Sequence, residues 1–246
     1  MTEKLSNDFE IRCRDLEENL KEIRFRMEEA ALRSGRKPED VELLAATKTV
    51  PVEVINRGIE LGLKHIGENK VQELMDKFDS YRETDVQFIG HLQSNKVKYL
   101  VGRVSMIQSV DSEKLAAEIS RLSVKAGRIM DILVEVNVGR EENKSGVMPE
   151  ALWDLLEKIA PLPGLHVRGL MTIPPFDASK EETRGFFSKM AQYFVDIKSK
   201  RIDNVNMDYL SMGMSHDYED AILCGANLVR VGTALFGPRN YKKEDQ

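Results

Sequence analysis

The chain has 246 residues, 41% of them hydrophobic and 31% charged, with 36 basic and 41 acidic side chains and a net charge of −5. This length suits one (β/α)8 barrel of about 250 residues as well as two smaller domains. The acidic balance argues against a general nucleic-acid binder. No apolar run approaches the roughly 20 residues that a membrane span needs.

An amphipathic helix over residues 1–35 is the first predicted element. Its apolar residues recur at alternating steps of four and three, which places them on one helical face: Phe9, Cys13, Leu16, Leu20, Ile23, Met27 and Ala30. Gly35 stands where such a helix ends. We expect this face to cover the bottom of a globular domain or a partner, and we favour a monomer.

Eight short apolar runs alternate with helix-like segments after Gly35. The runs occupy residues 41–47, 64–69, 86–91, 104–110, 129–138, 165–173, 207–213 and 228–232. Alternating strands and helices indicate parallel strands joined by helical crossovers. Eight units with short loops favour a closed (β/α)8 TIM barrel over residues 41–240, and no Gly/Pro-rich linker divides the chain, so one domain over 1–246 is predicted.

An open, doubly wound sheet is the alternative α/β fold. Such a sheet normally carries a glycine-rich turn after its first strand, but here that turn reads ATKTVP, and no GxGxxG follows any strand. Dinucleotide binding is therefore disfavoured.

The N-terminus and the cysteines favour a cytoplasmic protein. Charged residues run through the first 15 positions, without the apolar region of a secretory signal. The two cysteines, Cys13 and Cys224, lie in no CxxC pattern, so we expect reduced packing residues. The four histidines show no HxH or HExxH spacing, so no metal site is predicted.

Polar residues at the strand ends are the candidate functional groups, because barrel chemistry gathers at the carboxyl ends of the strands. Lys48 follows the apolar LLAA of the first strand. Burial there would lower the pKa of its amine and make the neutral form available for a Schiff base with an aldehyde. The alternative is a lysine that extends to solvent or pairs with a neighbouring carboxylate.

A phosphate site is indicated by Gly232 and Thr233, where the last strand enters a Gly-Thr turn and a short helix. Ser211 and Gly213 add a hydroxyl and a flexible backbone after the seventh strand, and barrels commonly hold phosphate after strands 7 and 8. An ordinary helix cap is the simpler explanation of the Gly-Thr turn.

Arg230 shares a strand face with Gly232, so an inward-facing guanidinium is expected. It needs a partner there, either a ligand acceptor or a buried carboxylate such as Glu135. His91 ends the third strand and either orients a group in the mouth or is an ordinary core histidine. Ser215, His216 and Asp217 are adjacent in sequence and cannot adopt triad geometry.

These motifs together resemble the pyridoxal phosphate homeostasis (proline synthase co-transcribed) protein family, which is related in fold to the barrel domain of alanine racemase. The resemblance covers nearly the whole chain. It rests on AATKTV around Lys48, HIGENKVQE around Asn69, FIGHLQSNK around His91, GLMTIPP around Met171, LSMGMSHDYEDAI from Leu210 and VRVGTALFG from Val229.

The resemblance implies a pyridoxal 5′-phosphate site in which Lys48 holds the cofactor as an internal aldimine. Ser211, Gly232 and Thr233 would bind the phosphate, with Gly213 assisting, and Arg230 would face the pyridine nitrogen. Asn69 would lie beside the ring, and His91 and Met212 would line the pocket wall.

The resemblance also implies that the protein buffers or carries the cofactor, and that apoenzymes receive it. An arginine at the ring nitrogen only donates hydrogen bonds, so the ring would be a weak electron sink. Alanine racemase takes a second base, a tyrosine, from a C-terminal domain, and we expect none here because the chain ends eight residues after Pro238. We therefore predict no catalytic residues. An amino-acid racemase or lyase is the alternative, and a phosphate-binding aldolase is a third possibility.

Overall fold

The computed structural model describes residues 2–238, with side chains from Phe9 onward. The remaining positions, among them residues 239–240 of the predicted barrel range, lie outside the described part. All eight predicted strands are present and pair in chain order, each parallel to its neighbours, into a closed barrel. The first and last strands also pair, which closes the ring. The predicted (β/α)8 fold is thus confirmed.

Seven of the eight strands are shorter than the apolar runs that predicted them, whereas the seventh has the same length and begins two residues earlier. They span Glu42–Ala46 (β1), His65–Glu68 (β2), Asp85–Phe88 (β3), Met106–Val110 (β4), Met130–Glu135 (β5), Leu165–Met171 (β6), Val205–Ser211 (β7) and Leu228–Val231 (β8).

Helices surround the barrel. They span Thr2–Arg33 (α1), Val52–Glu60 (α2), Val71–Lys77 (α3), Glu113–Lys125 (α4), Leu152–Ile159 (α5), Lys180–Lys200 (α6), Tyr218–Leu223 (α7) and Thr233–Phe236 (α8). Between β3 and β4 the connection is a 3-10 helix, Ser94–Tyr99, in place of an α-helix. Across residues 2–238, no helix combines the length and the apolar character that crossing a membrane requires.

Side chains of each strand alternate between the barrel interior and the layer under the helices. Leu44, Ile89 and Leu228 pack together in the interior, whereas Ala45 and Val229 belong to the main core between strands and helices. Because Leu44 pairs with Arg230, the interior side of β8 carries the arginine. Lys48 follows two residues after Ala46, which packs against this interior cluster.

Helix α1 packs along the outside of the barrel against α2, α7 and α8, not across its bottom, which was one of the two predicted positions. The predicted apolar stripe is buried from Leu16 to Ala30. The helix is also tied to the last connection of the barrel, since Asn19 Nδ2 donates to the carbonyl oxygen of Leu235 at 3.1 Å. Helix α1 therefore covers the connection that follows β8, the strand that closes the barrel.

We expect Leu20→Ala to lower the free energy of unfolding by about 2–4 kcal/mol, because it leaves a cavity under α1. Leu20 is 2% exposed. Leu32→Ala on the same helix is the matched control, since Leu32 is 58% exposed and its truncation should change stability by less than about 0.5 kcal/mol. Urea unfolding of both variants measures the difference. Equal stabilities would contradict this packing of α1.

Candidate functional site

Lys48 lies in a tight turn directly after β1, half-buried, at the carboxyl end of the barrel. Its Nζ takes part in no hydrogen bond or ion pair within the part of the chain whose side chains are described. The carboxylates of the adjoining β2 connection, Glu68 and Glu73, pair with Lys77 instead. The amine of Lys48 is therefore left available, as the Schiff-base hypothesis requires.

The buried carboxylate of Glu68 stabilises the turn that contains Lys48. Glu68 is fully buried, and its Oε1 accepts hydrogen bonds from Thr47 Oγ1 at 2.7 Å, Tyr81 OH at 2.8 Å and Lys77 Nζ at 3.3 Å. Burial, with the neighbouring Glu68 charge, raises the pKa of Tyr81, which keeps its hydroxyl a donor. The sequence pattern did not indicate this cluster, although HIGENKVQE contains its carboxylate.

Thr49 completes the turn in an unusual backbone conformation. Its φ is 65°, a left-handed value that is costly for a β-branched residue. Its backbone N–H donates to Glu73 Oε1 at 2.5 Å, and Lys77 Nζ donates to the carbonyl oxygen of Thr47 at 3.3 Å. Hydrogen bonds on both sides of Lys48 thus fix the direction in which its side chain leaves the strand.

Asn69 is half-buried at the end of β2, beside the end of β3. The two connections approach closely at Gly90, where a Cβ atom would lie 2.0 Å from the carbonyl oxygen of Asn69. Only glycine fits this approach. His91 follows it, exposed, and its Nδ1 lies 2.9 Å from Ser145 Oγ in the loop after β5. Both residues are at the same end of the barrel as Lys48.

Arg230 is buried in the barrel interior, with 4% of its surface exposed. Its Nη1 donates to Ser211 Oγ at 2.6 Å and its Nη2 to the carbonyl oxygen of Thr172 at 2.8 Å. No carboxylate within residues 9–238 lies close enough to form an ion pair with it. Burial lowers the pKa of Arg230 to about 10, so the group remains a cation at neutral pH.

Glu135 is the carboxylate that the sequence offered as a partner for Arg230. It is buried at the end of β5, and burial together with the charge of Asp111 raises its pKa to about 7, an effect that Arg230 opposes. A carboxyl with this pKa exchanges protons near neutrality. The two groups therefore influence each other electrostatically without forming an ion pair, which was one of the two alternatives for Arg230.

Ser215 is a functional candidate that the sequence pattern did not indicate. Its Oγ accepts hydrogen bonds from the backbone N–H groups of Gly232 at 3.2 Å and Ala234 at 3.1 Å. The loops after β7 and β8 therefore meet at this hydroxyl. The motif LSMGMSHDYEDAI contains the residue, but its neighbours His216 and Asp217 suggest only a catalytic triad there, which adjacent residues cannot form.

Ser211 occupies a different position from the one expected of a phosphate ligand. It is fully buried, it accepts from Arg230, and its own proton goes to Gln108 Oε1 at 2.7 Å. The hydroxyl beside the Gly232–Thr233 turn belongs to Ser215 instead. Met212 is fully buried in the core under the helices, away from the interior face that was expected to form a pocket wall.

Gly213 and Gly232 bring backbone together at the β7 and β8 ends. Gly213 has a φ of 92°, and a Cβ there would lie 2.5 Å from Ala221 Cβ. A Cβ on Gly232 would lie 3.2 Å from the carbonyl oxygen of Ala46, two residues before Lys48. The exposed Thr233 follows. The amine, the cation and the backbone turn therefore belong to the neighbouring strands β7, β8 and β1.

This donor set suits a phosphorylated aldehyde. An available amine attacks an aldehyde carbon, hydroxyl and backbone N–H groups bind an anion, and an obligate donor such as Arg230 matches an acceptor nitrogen. No group of three or more His, Cys, Asp and Glu side chains within residues 9–238 is arranged to hold a metal ion.

Known proteins resemble this chain over most of its length. Residues 15–240 match the family described as alanine racemase, N-terminal domain. The pyridoxal phosphate homeostasis protein of Aquifex aeolicus is 46% identical over 226 residues, covering 91% of this chain and 98% of the relative.

Two solved structures share the fold. PipY of Synechococcus elongatus, solved with pyridoxal phosphate bound, has a TM-score of 0.77 and 32% identity, covering 90% of this chain and 100% of PipY. Alanine racemase of Clostridium difficile has a TM-score of 0.71 at 17% identity, covering 93% of this chain and 57% of the racemase. The chain therefore belongs to the alanine racemase N-terminal domain family, and within it to the pyridoxal phosphate homeostasis proteins.

Proposed function

We propose that this protein binds pyridoxal 5′-phosphate at the carboxyl end of the barrel and serves in its homeostasis. The observation that carries the proposal is the available amine of Lys48 beside the turn at Gly232, with the buried cation of Arg230 on the same face of β8. The relatives named for pyridoxal phosphate homeostasis, and the PipY structure with the cofactor bound, support it.

Each candidate residue has a defined task in this proposal. Lys48 would hold the aldehyde carbon of the cofactor. Gly232 would let the backbone approach the phosphate closely, and Thr233 would bind the phosphate through its N–H and hydroxyl donors. The hydroxyl of Ser215, which accepts from the Gly232 N–H, would join them. Asn69 lies beside the ring, and Arg230 faces the ring nitrogen. Gly213 shapes the backbone beside Arg230, because the backbone N–H of Arg230 donates to the Gly213 carbonyl oxygen at 2.9 Å. His91 borders the entrance of the site.

Arg230 favours holding the cofactor over using it as a catalyst. Bound pyridoxal phosphate supplies an electron-withdrawing ring, and that property is strongest when the ring nitrogen carries a proton. A cation with a pKa of about 10 only donates to that nitrogen at neutral pH. Arg230 thereby keeps the nitrogen unprotonated. We accordingly propose a non-catalytic carrier that acts as a monomer in the cytoplasm and hands the cofactor to apoenzymes.

A second candidate function, slow turnover of amino acids as a racemase or lyase, is favoured by Glu135. Its pKa of about 7 is that of a usable acid or base, and its position at the end of β5 is on the same side of the barrel as Lys48. Arg230 opposes this function for the reason given above.

The first test is covalent trapping at Lys48. Purified protein incubated with pyridoxal phosphate should show a visible absorption band that borohydride removes, with the label retained on the peptide that contains Lys48. Lys48→Ala should lose both the band and the label. Lys70→Ala, which removes an exposed lysine next to Asn69, should keep them. A band that survives in Lys48→Ala would show that another group binds the aldehyde, as would a label on a different peptide.

The second test examines whether Ser215 contacts the phosphate of the cofactor. We expect Ser215→Ala to weaken pyridoxal phosphate binding about 10- to 100-fold, because a hydrogen bond to a charged group contributes about 1.5–3 kcal/mol. Binding of pyridoxal, which lacks the phosphate, should be nearly unchanged. Fluorescence titration with both ligands measures the two affinities. An equal loss for both would mean that Ser215 supports the loop without contacting phosphate.

The third test distinguishes carrier from enzyme. Protein loaded with cofactor and incubated with L-alanine in deuterated water should exchange the Cα proton no faster than free pyridoxal phosphate does. NMR of the amino acid follows the exchange. If exchange is fast in the wild type and is lost in Glu135→Gln, the enzyme function replaces the carrier function.

A further inference from the structure

The interior of the barrel contains a continuous chain of side-chain hydrogen bonds that begins at Arg230. Its Nη1 donates to Ser211 Oγ at 2.6 Å, and Ser211 donates to Gln108 Oε1 at 2.7 Å. Gln108 Nε2 donates to Gln87 Oε1 at 2.6 Å, and Gln87 Nε2 donates to Asp85 Oδ2 at 2.6 Å. We call Ser211, Gln108, Gln87 and Asp85 the core chain.

The direction of every hydrogen bond between Arg230 and the far end of the core chain is fixed by the two charged groups at its ends, Arg230 and Asp85. A guanidinium can only donate and an ionised carboxylate can only accept. Asp85 therefore requires the amide nitrogen of Gln87, which leaves the Gln87 oxygen for Gln108. The Gln108 oxygen then faces Ser211, whose hydroxyl accepts from Arg230 and donates onward. All the bonds point from the cation to the anion, and such aligned chains strengthen one another.

Asp85 ends the core chain at the amino-terminal face of the barrel, the face opposite the cofactor site. Burial alone would raise the pKa of Asp85, but hydrogen bonds from His65, Ser105 and Gln87 hold it below its usual range. His65 Nδ1 lies 2.7 Å from Asp85 Oδ2. The carboxylate is therefore ionised at neutral pH, as the direction argument requires.

The core chain also explains how a cation remains buried without an ion pair. An uncompensated buried charge is costly, yet among residues 9–238 the guanidinium of Arg230 has only a hydroxyl and a carbonyl oxygen as hydrogen-bond partners. The intervening side chains Ser211, Gln108 and Gln87 are themselves nearly or fully buried. Their aligned dipoles connect the cation to the charge of Asp85.

We propose that Gln108 and Gln87 are positioning residues for the cofactor: by orienting the Ser211 hydroxyl as an acceptor, they hold Arg230 against the ring nitrogen. This inference rests on the proposed function, because it concerns a ring that Arg230 faces. Neither glutamine touches the cofactor in this account. Each acts only through its neighbour in the core chain, so the effect of a substitution should decrease with distance from Arg230.

The experiment uses the full protein loaded with pyridoxal phosphate and measures the pH midpoint of its visible absorption band. A cation at the ring nitrogen disfavours protonation elsewhere on the chromophore, so its displacement should raise the midpoint. Arg230→Gln is the reference variant. Gln108→Leu should raise the midpoint by about one pH unit, and Gln87→Leu, which leaves the Ser211–Gln108 pair in place, by a few tenths of a unit.

Met106→Ala is the control for a purely structural effect. Met106 is buried in the barrel interior on the same strand as Gln108 and packs with Leu133 and Met171, outside the core chain. We expect it to lower the melting temperature and leave the midpoint unchanged. If Gln108→Leu does not fold, Gln87→Leu alone decides.

The outcomes distinguish failure of the proposed function from failure of the positioning role of the glutamines. Absence of a Lys48-bound band in the wild type overturns the proposed function itself, before any variant is compared. A midpoint that Arg230→Gln does not move overturns the position of Arg230 at the ring. A midpoint that Arg230→Gln raises, but that Gln108→Leu and Gln87→Leu leave at the wild-type value, overturns the positioning role while the proposed function stands.

Discussion

The burial of one cation, Arg230, inside a closed barrel is the constraint on which the polar interior depends. A buried guanidinium without an ion pair needs other polar groups to accept hydrogen bonds from its N–H groups, since burying these groups without acceptors costs much free energy. Ser211 and the carbonyl oxygen of Thr172 accept two of them. The serine in turn requires Gln108 as its acceptor, so a single charge accounts for a row of buried polar side chains in the barrel interior.

The geometry of the barrel brings Arg230 close to the segment that carries Lys48. Parallel strands bring their carboxyl ends to one face, and closure makes β8 the neighbour of β1. Arg230 consequently lies one strand away from the segment that leads into Lys48. The buried Glu68 cluster holds the turn that carries this lysine, while the backbone N–H groups of Gly232 and Ala234 meet at Ser215. Amine, cation and backbone turn thus lie at one end of the barrel, on the neighbouring strands that the proposed site requires.

The sequence predicted the eight strands, their parallel order and the strand-end positions of the candidate residues. It did so because the alternation of apolar runs and amphipathic segments is a local signal. The partners of the polar groups were not predictable in the same way. That Ser211 serves Arg230, and that Ser215 is the hydroxyl beside Gly232, follows from side-chain direction across separate strands. The place of α1 on α2, α7 and α8 depends likewise on long-range packing.

The central claim is that pyridoxal phosphate binds between Lys48, Arg230 and the Ser215 turn. A crystal structure of the protein soaked with pyridoxal phosphate tests it most directly. The account predicts density continuous from Lys48 Nζ into the cofactor, with the phosphate at Ser215, Gly232 and Thr233 and the ring nitrogen facing Arg230. A cofactor bound away from Lys48, or one whose ring nitrogen faces Glu135, would contradict it.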